Sequence, residues 1–353
     1  MLKIHNIIKL AASLLLTVVL ASCNAVYEDE GDCTIYDNYL AFVYDMNLKW
    51  ADAFPAEVTS VRVYAFDTDG QLVWQETRQG AELASGNFRI PLDLVAGKYH
   101  IVAWCGVDNG VEPEKESFEV TSQVTDLNSL NCRLNRVRHD EYGPSSASPL
   151  FFLYHGAIDI EIPGDNELGR TFTVPLTKNT NNVRIVLQHI SGETLSADDF
   201  IFRIEDTNGH LHHDNSLLPD EKITYLPYQT FSGSAVVGKD EDDASSRALV
   251  AVTGAIADLH LNRLMEGHRK ETKLIIDNKK TSERIAEIPL IDYALLAKDY
   301  YEQLYGHRMT DQEFLDREDN YVMTLFLDKN LHWLDSSILI HSWRVVHDDA
   351  DLN

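Results

Sequence analysis

Val61-Arg62-Val63-Tyr64-Ala65-Phe66-Asp67-Thr68-Asp69-Gly70-Gln71-Leu72-Val73-Trp74 is the stretch that decides the fold class. Val61, Val63 and Ala65 alternate with Arg62 and Tyr64, the two-residue period of a strand with one face inward. Asp67-Thr68-Asp69-Gly70 is turn chemistry, and residues 71–77 return as a second strand carrying Leu72 and Trp74, so the unit is a hairpin. The same period continues on both sides. Residues 39–45 alternate Leu40, Phe42 and Tyr44, and 88–94 pairs with 98–106 around Ala96-Gly97. A further strand is expected near 127–134. Short strands separated by turns, with no helix among them, predict a β-sandwich over residues 35–138.

Residues 139–149 (HDEYGPSSASP) read as a linker. Beyond it, a second β-sandwich is expected over 150–347, with strands at 150–160, 170–177, 182–189, 200–206, 222–227, 248–253, 272–276 and 282–289. A helical insert follows. Asp292 can cap a helix over 293–305, whose Leu296, Tyr300 and Leu304 recur at helical spacing. Thr310-Asp311-Gln312-Glu313 is a capping box for a shorter helix to Arg317. Strands at 321–327 and 336–346 flank a turn at Asp328-Lys329-Asn330, and an acidic tail occupies 348–353.

The N-terminus carries a different signal. Lys3, His5 and Lys9 precede an apolar run at 10–20 (LAASLLLTVVL) that is too short to span a bilayer as a mature helix. It ends in Leu20-Ala21-Ser22-Cys23, a box in which the thiol is the group that accepts lipid. Residues 1–22 are therefore expected to be a lipoprotein signal peptide, Cys23 the lipidated residue, and 23–34 an acidic tether. Acidic residues just after the cysteine (Glu28, Asp29, Glu30) resemble the surface-export signal of Bacteroidetes-type lipoproteins, which implies a place on the outer face of the outer membrane.

The formal net charge is −26, and removing Lys3 and Lys9 with the signal segment makes it −28. So acidic a chain excludes nucleic acid and anionic lipid headgroups as partners. The mature length exceeds one ordinary core, so two domains are expected. After lipidation, Cys33, Cys105 and Cys132 remain, enough for one internal disulfide with three choices. Cys33–Cys105 is favoured, because Cys33 just precedes the first strand and Cys105 lies in the strand at 99–106.

No Gly-x-Ser-x-Gly elbow, His-Glu-x-x-His helix, phosphate loop or dinucleotide fingerprint occurs, so no enzyme, cofactor or metal is expected. His210-Leu211-His212-His213-Asp214 follows an Asn208-Gly209 turn signal and reads as a polar loop tip rather than a metal cluster. Residues 239–243 (KDEDD) lack the spaced glycine and terminal glutamate of a calcium loop. Trp50, Trp74, Trp104, Trp333 and Trp343 are candidates for sugar stacking, with core packing as the commoner fate of a strand tryptophan.

Three further groups of residues carry a resemblance. They are Ala41-Phe42-Val43-Tyr44-Asp45-Met46-Asn47 with Ala51-Asp52-Ala53-Phe54; the hairpin above with Gly97-Lys98-Tyr99 and Val102-Ala103-Trp104; and Ile288-Pro289-Leu290 with residues 312–318 (QEFLDRE) and 338–344 (ILIHSWR). In order and spacing they resemble the FimB-type fimbrial subunit family, lipoproteins related to a minor-fimbria anchor subunit. His341 stands where that pattern has asparagine. The resemblance implies two transthyretin-like β-sandwich domains and a role at the base of a type V pilus. It also implies fimbrial shaft or accessory subunits as partners, joined by strand addition, with a glycan-binding surface protein or a tip adhesin as alternatives. A host-surface glycan is the further candidate target. Stalk subunits of such pili lose their N-terminal strand and lipid to an arginine-specific protease, whereas an anchor keeps both. No arginine occurs between Cys23 and Arg62, and Arg62 lies in an expected strand. The apolar strand at 336–346, through Ile338, Leu339, Ile340, Trp343 and Val345, is the segment expected at an edge or groove where strands are exchanged; completing its own sheet is the alternative.

Overall fold

In the computed structural model the hairpin forms as the sequence predicts, with Ser60–Phe66 antiparallel to Leu72–Gln79 from Ser60 opposite Gln79 to Ala65 opposite Trp74. The structure describes residues 38–146, 149–164, 169–237, 250–340 and 343–346. Asp67 Oδ1 closes the turn by accepting the N–H groups of Asp69 and Gln71, each at 2.9 Å, and Gly70 supplies the left-handed residue at φ +75°. The protein is mainly β, with several sheets and a short helical segment near the C-terminus.

The hairpin belongs to a five-stranded sheet ordered Thr177–Lys178, Tyr154–Ile162, Gly97–Cys105, Ser60–Phe66, Leu72–Gln79. Both faces of this sheet are buried. Val61, Val63, Ala65, Ile101 and Ala103 pack toward Leu40, Phe42, Phe54 and Val174. Tyr64, Phe66, Val102 and Trp104 pack the other way, in one cluster with Phe118, Val120, Cys132, Leu134 and Leu211. The first side is covered by Tyr39–Val43, which pairs in parallel with Thr171–Pro175 and antiparallel with Ile90–Pro91. The second is covered by a small sheet of Phe118–Val120, Asn131–Leu134 and His210–His212. Close layering leaves no room for a side chain at Gly156, whose Cβ would lie 2.5 Å from the Pro175 carbonyl.

Two six-stranded sheets build the rest. One is ordered Gln229–Val237, Val250–Asn262, Thr180–His189, Asn320–Leu327, Trp333–Ile340, Trp343–Val346. The other is ordered Arg284–Pro289, Lys273–Asn278, Phe200–Asp206, Ile223–Tyr225, Gly143–Ser146, Val137–His139. Val183, Ile185, Leu187, Met323 and Leu325 of the first share a core with Phe202, Ile204, Leu274 and Ile276 of the second. Thr180–His189 runs parallel to Asn320–Leu327, so everything between them forms one long crossover.

Three sequence expectations change here. The stretch at 139–149, read as a linker, is strand in much of its described part: Gly143–Ser146 pairs with Val137–His139 and, in parallel, with Thr224 and Tyr225. Its polar and Pro-Gly composition suits an edge hairpin as well as a spacer. The helix expected over 293–305 is two, Leu290–Leu295 and Lys298–Tyr305. Between them the Leu296 and Ala297 N–H groups bond back to Tyr293 and Ala294, three residues rather than four, which tightens the turn. Asp292 lies in the first turn and is not the cap, because Pro289 precedes the first helical residue. Third, His210–His212 is no loop tip but a strand opposite Asn131–Arg133, with Leu211 buried. Of the capping box read at Thr310 one half forms, its Oγ1 accepting the Glu313 N–H at 3.0 Å, while the Glu313 carboxylate accepts Arg317 Nε at 3.0 Å instead of reaching back to the cap.

Where the helical segment meets the sheets, a buried polar network ties distant parts of the chain together. The Lys178 side chain is only 3% exposed, and its Nζ donates to Glu57 Oε2 at 3.1 Å and to Asp319 Oδ2 at 2.5 Å. Nζ also lies 3.6 Å from the Phe152 ring centroid. Tyr154 donates its hydroxyl to the same Glu57 oxygen at 2.9 Å. Next to this network Glu318 is buried, accepting the Asn320 N–H at 2.9 Å, and burial pushes its carboxyl up to about 7 from an ordinary 4.5.

A carboxyl raised on folding stabilises the native state fully below its unfolded value. That stability is lost as pH rises through the folded value, here between about 4.5 and about 7. The loss is on the order of 3 kcal/mol at 1.36 kcal/mol per pH unit. Glu318→Gln is therefore expected to gain stability over the native chain as pH is raised from 5 to 8. Urea titrations at the two pH values measure this, and a difference that stays constant across them counts against the buried carboxyl.

Candidate interaction site at the terminal sheet edge

The sequence points to two places, the lipid box at the N-terminus and the apolar strand at 336–346. Cys23, Cys33 and the acidic tether lie outside the described residues. Cys105, the other half of the expected disulfide, is fully buried beside Val61 in the central sheet; it is a free thiol, as is Cys132. Burial alone raises the Cys105 thiol far above its ordinary value, which makes it inert.

The terminal edge is built from Asn320–Leu327, whose Tyr321, Met323, Leu325 and Leu327 face the core. Asp328 then turns the chain. Its N–H donates to the His332 carbonyl at 2.9 Å, and its carboxylate accepts the N–H groups of Asn330 at 2.7 Å and His332 at 2.8 Å. Those bonds, the His332 N–H first, hold the carboxyl below its usual range. Trp333–Ile340 returns along the outer side, with Val322 opposite Leu339 and Thr324 opposite Ser337.

The single strand expected over 336–346 is divided. Trp343–Val346 folds back on Trp333–Ile340, placing Ile340 opposite Trp343, Leu339 opposite Arg344 and Ile338 opposite Val345. Only residues 341 and 342 separate the facing pair, the length of a two-residue hairpin connection. The apolar run continues through both arms without glycine, proline or asparagine, so nothing in its pattern marks a reversal. Of the five residues expected to meet a partner, Ile338, Leu339 and Ile340 occupy the inner arm and Trp343 and Val345 the outer one. Trp343–Val346 is the last strand of its sheet among the described residues. Among the described residues no strand pairs with its outer side.

The other sequence candidates are dispersed. Trp104 is buried against His155, with ring centroids 4.6 Å apart, and Trp74 and Trp333 are half-buried. Trp50 stands out at 39% exposure, held in the left-handed region at φ +53° with the Arg317 guanidinium 3.8 Å from its ring centroid. Arg317 in turn donates to the Asp45 carbonyl at 3.1 Å, which fixes the platform from behind. His210 contacts Asn131 Oδ1 at 3.0 Å, while the His212 and His213 rings meet at a tilt of 55° with centroids 4.2 Å apart. Among the described residues no three metal-ligating side chains converge. Residues 239–243 lie outside the described residues.

A family model for the fimbrillin-A-associated anchor proteins Mfa1 and Mfa2 matches residues 29–349. The chain belongs to that family. The minor fimbrium anchoring subunit Mfa2 of Porphyromonas gingivalis is 24% identical over 96% of each chain. A candidate adhesin of known structure from Bacteroides thetaiotaomicron is 32% identical, with a TM-score of 0.73 over 88% of this chain and 97% of that one. A candidate polysaccharide-binding protein from the same species is 29% identical, with a TM-score of 0.70 over 88% and 98% of the two chains. The fimbrial anchor protein Mfa2 of P. gingivalis shares the fold, at 18% identity and a TM-score of 0.58 over 88% and 98%. The family is one of fimbrial anchors, structural proteins and not enzymes. The expected FimB-type anchor resemblance is met by this family match.

Proposed function

We propose that the chain is a lipid-anchored fimbrial anchor subunit, held at the outer membrane through Cys23 and joined to a fimbrillin subunit by strand addition at the Trp343–Val346 edge. The observation that carries this reading is the position of the first arginine after the lipid cysteine. Arg62 lies within Ser60–Phe66, a strand paired on both sides in the central sheet, and its guanidinium is bound to Asp108. A protease that cuts after arginine therefore meets no loop between the lipid and the first core. Tyr39–Val43 stays in its sheet, and the lipid stays with the protein. The family match supplies the partner class, and the open terminal edge supplies a backbone surface for it. The two apolar cores on either side of the central sheet are read as those of the two transthyretin-like domains.

Removing residues 341–353 tests the edge, because Trp333–Ile340 keeps its pairing with Asn320–Leu327 and closes the sheet at five strands. The truncated chain is expected to fold and to bind purified fimbrillin roughly tenfold or more weakly. A folded truncation that binds as well as the full chain counts against the edge.

A glycan-binding role is the second reading, favoured by the exposed Trp50 platform and the polysaccharide-binding relative. It takes precedence if the full chain binds oligosaccharide and no fimbrillin.

A further inference from the structure

Among the described residues Leu72–Gln79 is the last strand on its side of the central sheet, pairing only with Ser60–Phe66. The Gly80 N–H donates to the Thr59 carbonyl at 3.1 Å. In an antiparallel ladder this parity turns the backbone groups of Arg78 and Glu76 inward and those of Gln75, Thr77 and Gln79 outward. The strand carries none of the usual guards. Between Val73 and Gln79 there is no proline or lysine, and its two charges, Glu76 and Arg78, pair with each other at 3.2 Å. Val73, at 47% exposure, extends the open edge.

A second free edge faces it. Phe118–Val120 is the outer strand of the small sheet, paired among the described residues only with Asn131–Leu134. The Thr121 N–H donates to the Asn131 carbonyl at 3.0 Å, so Glu119 is bonded inward and the backbone groups of Phe118 and Val120 point outward. The two edges touch at one end, through the antiparallel bridge of Gln71 with Asp126 and the Leu72 N–H donating to the Thr125 carbonyl at 3.0 Å. Continued at constant register, that pairing sets Thr77 opposite Val120 and Gln79 opposite Phe118, residues whose backbone groups the ladders behind them leave outward. They do not pair. The strands part after Leu72, and these residues line a groove of about 1080 Å³.

The groove is polar and acidic. Glu114, Glu116 and Glu119 line it, while its two arginines are already engaged, Arg62 by Asp108 and Arg136 by Asp220 at 2.7 Å. Asp108 also holds a left-handed backbone at φ +60°, and its Oδ2 is buried without a hydrogen-bond partner.

We propose that this groove is a second strand-docking site, which takes an extended segment of a fimbrillin subunit, about five residues long and flanked by lysine or arginine. The segment lies antiparallel to one wall and parallel to the other, because the walls are antiparallel to each other. Unpaired backbone groups at strand spacing on both walls select a polypeptide over a sugar, and the carboxylates select its charge. The proposal rests on the anchor reading above and adds a site distinct from the terminal edge.

The test is amide hydrogen exchange on the full chain, alone and with purified fimbrillin, together with two variants. Slowed exchange in peptides covering 73–79 and 118–120 is expected on binding; slowing confined to the terminal edge overturns the proposal. Thr77→Pro deletes an outward N–H without touching the ladder to Ser60–Phe66, and is expected to weaken fimbrillin binding roughly tenfold. Should that variant misfold, Glu119→Lys at an exposed position is expected to weaken binding several-fold at low salt and little at high salt. Unchanged binding by a folded variant, or a dimer of this chain that Thr77→Pro dissociates, overturns the fimbrillin occupant. If removal of residues 341–353 abolishes binding while Thr77→Pro leaves it intact, the anchor reading stands and the groove falls. A full chain that binds no fimbrillin removes both.

Discussion

Cys23→Ser is expected to release the protein, and the fibres attached to it, from cells into the medium. The reasoning starts from the strength of a lipid anchor. Burying acyl chain is worth about 0.8 kcal/mol per methylene; one chain binds marginally, and two or more hold a protein effectively permanently. No helix among the described residues is long and apolar enough to replace it. At a net charge near −28 after loss of residues 1–22, the chain is repelled by an anionic surface and has no polybasic patch as a second anchor. The expected change is therefore a loss of cell-associated protein of roughly a hundredfold, measured by fractionating cells and medium. Fibres that stay on cells carrying the serine variant would remove the anchor reading. Mass spectrometry of the native surface protein gives an independent check. The mature N-terminus is expected at a lipid-bearing Cys23, and a predominant fragment beginning after residue 33 would show that the first strand is removed.

Lys178→Met is expected to produce a large loss of stability from one side chain. The methionine matches the aliphatic stem and keeps its packing on Phe152, so the change isolates the charge. It leaves Glu57 and Asp319 facing each other without their shared cation, in a site where Tyr44 and Tyr154 also crowd the carboxylates. Breaking a buried ion pair by removing one partner costs about 3–5 kcal/mol. Over a domain of this size that corresponds to a fall in Tm of roughly 6–15 °C. Replacing all three as Lys178→Met, Glu57→Gln and Asp319→Asn is expected to recover most of the loss, since no uncompensated charge remains. Thermal melts of the single and triple variants decide it. A single variant within about 1 kcal/mol of the native chain would mean that water already screens the pair. The wider consequence concerns cooperativity. Glu57 comes from the first helix, Lys178 from the edge of the central sheet and Asp319 from the end of the helical segment, so the two halves are expected to lose structure together.

Local chemistry made much of this architecture legible. Val61, Val63 and Ala65 alternate because their strand has two distinct faces, and Asp67 through Gly70 turns because a short carboxylate and a left-handed glycine close a loop without outside help. Thr310 caps its helix for an equally local reason. Gln229–Val237 escaped reading because its middle, Ser232-Gly233-Ser234, is small and polar; it pairs with Val250–Asn262 through backbone groups that any residue carries. The terminal edge was only half legible. Ile338 through Val345 announced an apolar terminal strand, yet whether it ran straight or folded back depended on pairing: Trp333–Ile340 lies beside Asn320–Leu327, and its own outer side then takes Trp343–Val346.

The amino-acid sequence by itself determined the β class, the Leu20-Ala21-Ser22-Cys23 box, the arginine-free passage to Arg62 and the family to which the chain belongs, because each is written in adjacent residues. Tertiary structure alone decided that Tyr154–Ile162 crosses to pair with Gly97–Cys105, that the central sheet is buried on both faces, and that among the described residues strand edges are left open at Trp343–Val346 and Leu72–Gln79. The reason is physical. An edge is defined by the strand that is missing beside it, and backbone N–H and C=O groups, which are the same in every residue but proline, carry no record in the sequence of which neighbour they will find.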